Sequence, residues 1–370
     1  GASPPPAASA GPACPRPAHN PVSQAMQNVL AVLEPQNIQK EAASLESFYD
    51  SVKRRASGID NAEGKQKIIV ELYDKFFKTA FPKLTEKLGI VYTPVEVVDF
   101  IIHSVNDILQ QEFGQTLGSE GVHILDPFTG TGTFITRLLQ SGLISADELE
   151  RKYRQEIHAN EIVLLAYYIA AINIEAVYHT LSGNPYEPFE GICLTDTFKM
   201  YESEDMVAAL MQDNSARRTR QKALDIRVVV GNPPYNVSDT GADYPHFNKR
   251  IADTYAEERT ATNKNSLYDS YVMAIRWASD RIGDSGVIGF VTNGGWLDGN
   301  AMNGLRKCLR DEFSSIYVFN LRGNARTSGE QRRKESGNVF REGSRAPVAI
   351  SFLVKNPNAA ATGQIFYHDI

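Results

Sequence analysis

Cysteine is scarce in this 370-residue chain, which carries only Cys14, Cys193 and Cys308. Three scattered thiols offer neither a metal-ligand spacing nor a disulfide framework, which suits a reducing cytoplasm. Long apolar runs are missing too: no stretch of about 18 or more apolar residues occurs, so no membrane span is expected. Nor is there an excess of basic residues. Lys and Arg number 38 against 44 Asp and Glu, a formal net charge of −6. That excludes a surface built uniformly for nucleic acid but leaves room for a local basic groove. A signal-peptide pattern is absent. A phosphate loop at Gly64-Lys65 fails, because Gly58 lies one residue too far upstream and Gln66 stands where Ser or Thr would hold magnesium.

What is present is a globular composition, 42% hydrophobic and 22% charged, in a length that holds one large or two ordinary domains. Residues 1–20 are rich in Ala, Pro and Ser and read as a flexible leader or linker. Residues 21–87 carry helical spacing, as in Leu45, Phe48, Tyr49 and Val52, and no strand signal. From Leu88 the pattern changes. Tyr92-Thr93-Pro94 is a turn in which Thr93 is expected to cap a helix that has Pro94 at its first position. Seven strands then alternate with helices: Val122–Asp126, Glu156–Asn160, Ile192–Asp196, Ile226–Gly231, Val287–Thr292, Ile316–Leu321 and Pro347–Lys355. That alternation predicts an α/β fold with a mainly parallel sheet covered on both faces over residues 88–370. Two intervals, about Val237–Lys264 and Gly323–Ser344, show no periodicity and read as long loops.

The central stretch is Val228–Asn236, VVVGNPPYN. A β-branched strand ends at Gly231, and Asn232, Pro233, Pro234 and Tyr235 follow on a stiff turn. At the carboxyl end of a parallel strand this places an amide and an aromatic ring where ligands bind. An amide accepts a hydrogen bond from an amine and a ring stacks on a flat base, which suits a planar substrate with an exocyclic amine. The plain alternative is a Pro-rich turn after a buried strand. A glycine loop, Asp126-Pro127-Phe128-Thr129-Gly130-Thr131-Gly132, follows the first strand. It lacks the third glycine of the dinucleotide fingerprint and carries an acid where a pyrophosphate would be repelled. A ligand with an ammonium group and a ribose fits better, namely S-adenosylmethionine. Glu161 ends the second strand, where a carboxylate can take ribose hydroxyls, and Asp196 ends the third, where it can take an adenine amine.

The ordered set YTP, DPFTGTGTF, NE, TD and NPPY resembles the gamma group of amino-methyltransferases that act on adenine in DNA, over about Leu88 to Lys355. The segments from FYDSVKRRASGID to YTPVEVVDF, and LRGNARTSGEQRRKESGNVFREGSRAPVAISFLVK, resemble the methyltransferase portion of Type ISP restriction–modification enzymes. The resemblance implies a class I S-adenosylmethionine-dependent methyltransferase fold, seven-stranded and mostly parallel, preceded by a helical, coupler-like region. It implies that the Asn232 side chain and the Pro233 carbonyl bond the target amine, within a catalytic turn Asn232–Tyr235. Tyr235 and Phe340 would stack on the flipped base. Tyr92, Thr93, Pro94, Asp126, Phe128, Gly130, Thr131, Gly132, Glu161, Asp196 and Asn232 would line the cofactor site. The basic loop with Arg322, Arg326, Arg332, Arg333 and Arg341 would touch double-stranded DNA, while Arg217, Arg218, Arg220 and Lys222 read as a solvated face. No helicase phosphate loop, nuclease cluster or target-recognition domain is visible, so covalently linked partner domains are expected elsewhere.

The chemistry accounts for these residue types. The lone pair of an exocyclic amine is drawn into its ring, and two acceptors on its hydrogens return that pair to nitrogen. Catalysis is then mainly positioning and electrostatics, without a metal, because the leaving group departs neutral. A duplex base must flip out at a cost on the order of a few kcal/mol, offset by stacking of about 1–3 kcal/mol per base. Two other readings stay open: methylation of a glutamine side-chain amide in a protein, which also uses NPPY, and a non-catalytic scaffold. Cytosine N4 is a further target, although it more often goes with Ser at the first motif position.

Overall fold

The computed structural model describes residues 93–200, 212–235, 244–258, 265–324 and 346–369. The leader (1–20) and the helical region (21–87) lie outside these residues. So do Tyr92, Arg326, Arg332, Arg333, Phe340 and Arg341.

In chain order the principal elements are α1 (Val95–Phe113), β1 (His123–Asp126), α2 (Thr133–Gln140), α3 (Ala146–Arg151), β2 (Ile157–Glu161), α4 (Leu164–Ser182), β3 (Ile192–Leu194), α5 (Gln212–Ala223), β4 (Ile226–Gly231), α6 (Pro245–Ile251), α7 (Ser270–Arg281), β5 (Gly286–Asn293), α8 (Asn303–Glu312), β6 (Ser315–Asn320), β7 (Val348–Lys355) and β8 (Gln364–Asp369). The strands form one sheet in the order β3-β2-β1-β4-β5-β7-β6-β8. Strands β3, β2, β1, β4 and β5 pair in parallel, and β7 runs antiparallel to both β5 and β6. All seven expected strands are present, with ends shifted by up to two residues. An eighth, β8, pairs in parallel with β6 and is exposed along its whole length.

Period-two alternation distributes the core. Val228 and Val230 face one apolar cluster with Ile101 and Val105 of α1, Phe134 of α2 and Tyr167 of α4. Val229 faces a second cluster, with Phe247 and Ile251 of α6, Tyr271 of α7 and Leu305 of α8. Continuous apolar strands such as β4 and β5 follow from this cover on both faces.

Three sequence expectations need correction. The interval Val237–Lys264 contains a helix after all, α6 and its π-helical continuation Ala252–Ala256. Its stripe Phe247, Ile251 and Tyr255 is buried at four-residue spacing, so packing on the second cluster stabilises it despite polar neighbours. Thr93 does not cap α1. The capping position is Pro94, whose carbonyl accepts from the N–H groups of Val97 and Val98, and the Thr93 hydroxyl is engaged elsewhere. The run at Arg217–Lys222 is not simply solvated either. Arg218 is buried, and Arg217 donates to the Tyr167 hydroxyl at 2.8 Å. The same helix sends Asn214 to strand β3, where its amide accepts from the Leu194 N–H at 2.8 Å and donates to the Leu194 carbonyl at 3.0 Å. A side chain thus satisfies the strand's outer edge as a neighbouring strand would. Among the described residues no helix is long and apolar enough to cross a membrane.

Candidate active site

The parallel half of the sheet carries the ends of β1, β2, β3 and β4 to one rim, and the expected residues gather there. Strand β1 delivers Asp126. Its Oδ1 accepts the Phe128 N–H at 3.1 Å, while its Oδ2 is buried with no hydrogen-bond partner among the described residues. Burial pushes this carboxyl up to about 8, and the nearby Glu161 adds to the rise. The neighbouring strand ends at Gly231, where an added Cβ would lie 3.0 Å from Asp126 Oδ1. The glycine before the Asn232–Tyr235 turn therefore lets β4 end beside this carboxylate.

After Asp126 the chain turns through Gly130 (φ 57°) and Gly132 (φ 88°), both left-handed. At Gly132 a Cβ would meet the Ala170 backbone of α4 at 3.3 Å. Side chains hold the loop from outside. Glu161 Oε2 accepts the Gly130 N–H at 2.8 Å, its Oε1 accepts the Val163 N–H at 2.7 Å, and Asn173 donates to the Thr131 carbonyl at 3.0 Å. Burial raises the Glu161 carboxyl to about 7. The N–H groups of Gly130, Ile162 and Val163 all favour its ionised form, against the effect of burial.

Asp196 lies two residues beyond β3, not within it. Its Oδ1 accepts the Phe198 N–H at 3.0 Å and its Oδ2 accepts the Tyr244 hydroxyl at 3.1 Å. Burial raises this carboxyl as well. Phe128, Phe198 and Tyr244 form an aromatic wall, with ring centroids 5.5 Å and 5.4 Å apart, and the Lys199 ammonium sits over the Tyr244 ring. Tyr244 escaped sequence reasoning because it lies in the aperiodic interval. Asn173 did leave a signal, the one side-chain amide of α4, directly after the apolar run Leu164–Ile172.

The turn after β4 is tied down at both ends of one amide. Asn232 Nδ2 donates to Thr93 Oγ1 at 2.9 Å, joining the turn to the start of α1. The Tyr235 hydroxyl lies 2.5 Å from Asn232 Oδ1 and 3.1 Å from the Val291 carbonyl of β5. The Tyr235 ring is half-buried and packs against both core clusters. Burial pushes its hydroxyl well above the ordinary tyrosine range. Arg322 stands apart, beyond β6, ion-paired to Asp369 of β8 at 2.7 Å.

A buried orphan carboxylate oxygen, a loop of left-handed glycines, and acids at the ends of β1 and β2 and just beyond β3 fit a ligand bearing an ammonium group, a ribose and an adenine. Strand order and site together define a class: this is a class I S-adenosylmethionine-dependent methyltransferase fold. Residues 64–370 match the family described as N-6 DNA Methylase, and the chain belongs to it. Residues 16–64 match the coupler domain of Type ISP restriction–modification enzymes.

Similar solved structures agree. A nuclease-deletion mutant of the Type ISP restriction–modification enzyme LlaGI, in complex with a DNA substrate mimic, is 50% identical, with a TM-score of 0.83 over 95% of this chain and 29% of that one. The ATP-dependent Type ISP enzyme LlaBIII, bound to DNA, is 50% identical, with a TM-score of 0.84 over 95% of this chain and 24% of that one. DrdV in its DNA complex is 36% identical, with a TM-score of 0.86 over 96% of this chain and 35% of that one. The chain spans about a quarter to a third of the length of these proteins. No curated protein matches it.

Proposed function

We propose that this chain transfers a methyl group from S-adenosylmethionine to the exocyclic amine of an adenine flipped out of double-stranded DNA, as the modification portion of a cytoplasmic bacterial restriction–modification enzyme. The observation that carries the reading is the juxtaposition at the rim. Asn232 is fixed on a rigid turn at the end of β4, while Asp126, with one oxygen unpartnered, ends the adjacent strand. The cofactor supplies an electrophilic methyl on a sulfonium centre. Asp126 would receive the ammonium end, Glu161 the ribose hydroxyls and Asp196 the adenine amine, with Phe128, Gly130, Thr131, Gly132 and the turn Thr93-Pro94 lining the site.

Asn232 Oδ1 has a second lone pair besides the one facing Tyr235, and the Pro233 carbonyl is a further acceptor on the same turn. Two acceptors on the amine hydrogens localise the nitrogen lone pair for attack, so the residues act by position and charge. Tyr235 and Phe340 would sandwich the base. Arg322, Arg326, Arg332, Arg333 and Arg341 would contact phosphates and account for salt-dependent binding. Membership of the N-6 family supports adenine over cytosine. Linked motor, nuclease and target-recognition domains are proposed from the DNA-bound relatives, of which this chain covers a minor share.

The test uses the full-length protein that carries this chain. Tritiated methyl groups from the cofactor are expected in DNA, not protein, and mass spectrometry of the nucleosides is expected to return N6-methyladenine. Asn232→Ala is expected to lower transfer by several orders of magnitude with cofactor affinity nearly unchanged. Label in protein glutamine, or cofactor binding without transfer to either, would replace the reading with one of the two alternatives.

A further inference from the structure

We infer that Thr197 is a positioning residue that joins two carboxylate-bearing turns into one receptor and so fixes the spacing between Asp126 and Asp196. The inference rests on the methyltransferase reading above, in which these two acids take opposite ends of the cofactor.

The two turns have the same build. Asp126-Pro127-Phe128 starts at the end of β1, and Asp196-Thr197-Phe198 lies just beyond β3. In each, the aspartate Oδ1 accepts the N–H of the phenylalanine two residues on, at 3.1 Å and 3.0 Å. The strands that carry them are not neighbours, because β2 lies between β1 and β3. Two strand spacings put β1 and β3 about 10 Å apart. The ladder that relates them stops short of Asp196. Its last strand pair is Glu161 with Leu194, followed by one bond from the Thr195 N–H to the Glu161 carbonyl at 2.8 Å.

Beyond that point Thr197 makes a direct link. Its hydroxyl donates to the Pro127 carbonyl at 2.7 Å, across 70 positions of sequence. The bond is buried, and Thr197 is only 4% exposed, so water does not readily compete for it. The Pro127 carbonyl shares a planar peptide unit with the Phe128 N–H. Thr197 therefore grips one side of a rigid plate whose other side holds Asp126 Oδ1. Asp126 Oδ2 is left as the oxygen without a partner among the described residues. The middle residue of one turn is thus bonded to the middle residue of the other, and the Phe128 and Phe198 rings meet with centroids 5.5 Å apart. A ligand that engages a single turn is indifferent to this link. One that engages both finds them at a preset separation and avoids the cost of ordering them.

The experiment uses the full-length protein and three probes. S-adenosylhomocysteine carries both ends of the cofactor, and its Kd is measured by calorimetry. 5′-Methylthioadenosine and methionine carry one end each, and are measured by competition against S-adenosylhomocysteine at millimolar concentration. Thr197→Val keeps the shape and removes the donor. It is expected to weaken S-adenosylhomocysteine about tenfold, part of the roughly 100- to 10,000-fold that linking two sites supplies, with each half-ligand within about twofold of wild type. Thr197→Ser keeps the hydroxyl and is expected to bind all three as the wild type does. Thr197→Ala removes the same donor without a second methyl to accommodate, and repeats the comparison should the valine variant fail to fold. Equal weakening of the whole ligand and its halves would make Thr197 a general support of the fold and overturn the inference. An unchanged Kd for S-adenosylhomocysteine in the valine variant, or a serine variant as weak as valine, would do the same. A wild-type protein that binds none of the three would instead overturn the methyltransferase reading from which the inference starts.

Discussion

Replacing Asp126 by asparagine is expected to have opposite effects on the empty and the loaded protein. Asp126 is fully buried, and its carboxyl is pushed from an ordinary 3.8 up to about 8. A group with a raised folded-state value binds more protons folded than unfolded. The advantage of the neutral acid is therefore complete below about pH 4 and is lost as pH rises toward 8, at about 1.4 kcal/mol per pH unit. At pH 7 the penalty relative to a permanently neutral isostere is on the order of 4 kcal/mol as an upper bound. Without cofactor, Asp126→Asn should accordingly be the more stable protein at pH 7–8, with the difference vanishing near pH 4. Binding an ammonium group requires the ionised carboxylate. Cofactor affinity of the wild type should rise with pH, by at most tenfold per unit, and level off near pH 8, with proton release detectable by calorimetry in buffers of different ionisation enthalpy. The amide of the variant cannot ionise, so affinity should fall and the slope disappear. Urea denaturation across pH 4–8.5 and parallel titrations read both effects. A variant less stable than wild type at pH 8, or wild-type binding with no proton release, would refute the assignment of Asp126 to a cationic ligand.

Two further outcomes follow from the same rim and its floor. Gly132→Ala should cost about 1–2 kcal/mol for its left-handed backbone, with a further loss because the new Cβ meets the Ala170 backbone at 3.3 Å; Gly142→Ala, left-handed but with open space around it, should cost only the first part, and chemical denaturation of both separates the two. His158, whose Nε2 lies 3.0 Å from His123 Nδ1, is held by burial down to about 3. Its contribution to stability is complete above about pH 6.5 and falls by about 1.4 kcal/mol per unit as pH drops toward 3, so His158→Gln should flatten the acid limb of a denaturation profile.

What was legible in the sequence depended on whether a residue's environment leaves a local trace. Strands β4, β5 and β7 are buried on both faces and read as continuous apolar runs. The acids at strand ends were visible because a carboxylate just after an apolar strand is unusual. Helix α5 left no trace because its inward face is polar: Asn214, Arg218 and Gln221 are the buried residues. Helix α6 did carry an apolar stripe, but Pro245 and a polar neighbourhood concealed it. Strand β8 buries neither face, so no burial pattern could mark it. The bond between Thr93 and Asn232 was illegible for a different reason. The sequence contains each hydroxyl and amide, but only the closed sheet brings positions so far apart within 2.9 Å.

The place of β7 in the sheet has a consequence for biosynthesis. This strand is made after β6, yet it inserts between β6 and β5 and supplies every ladder partner on that side of β5. A chain emerging from the ribosome therefore holds β5 with an open edge until residues 348–355 have been made. Val291, whose carbonyl lies within reach of Tyr235, pairs with Ile350 in that last-made ladder. Such non-local, late pairing is slow and exposes an adhesive edge while it is pending. The nascent chain should thus lack the completed rim that holds Tyr235, and be most prone to misassembly, in the interval between synthesis of β6 and of β7. A truncation there should yield an insoluble product, not a folded domain of lower stability.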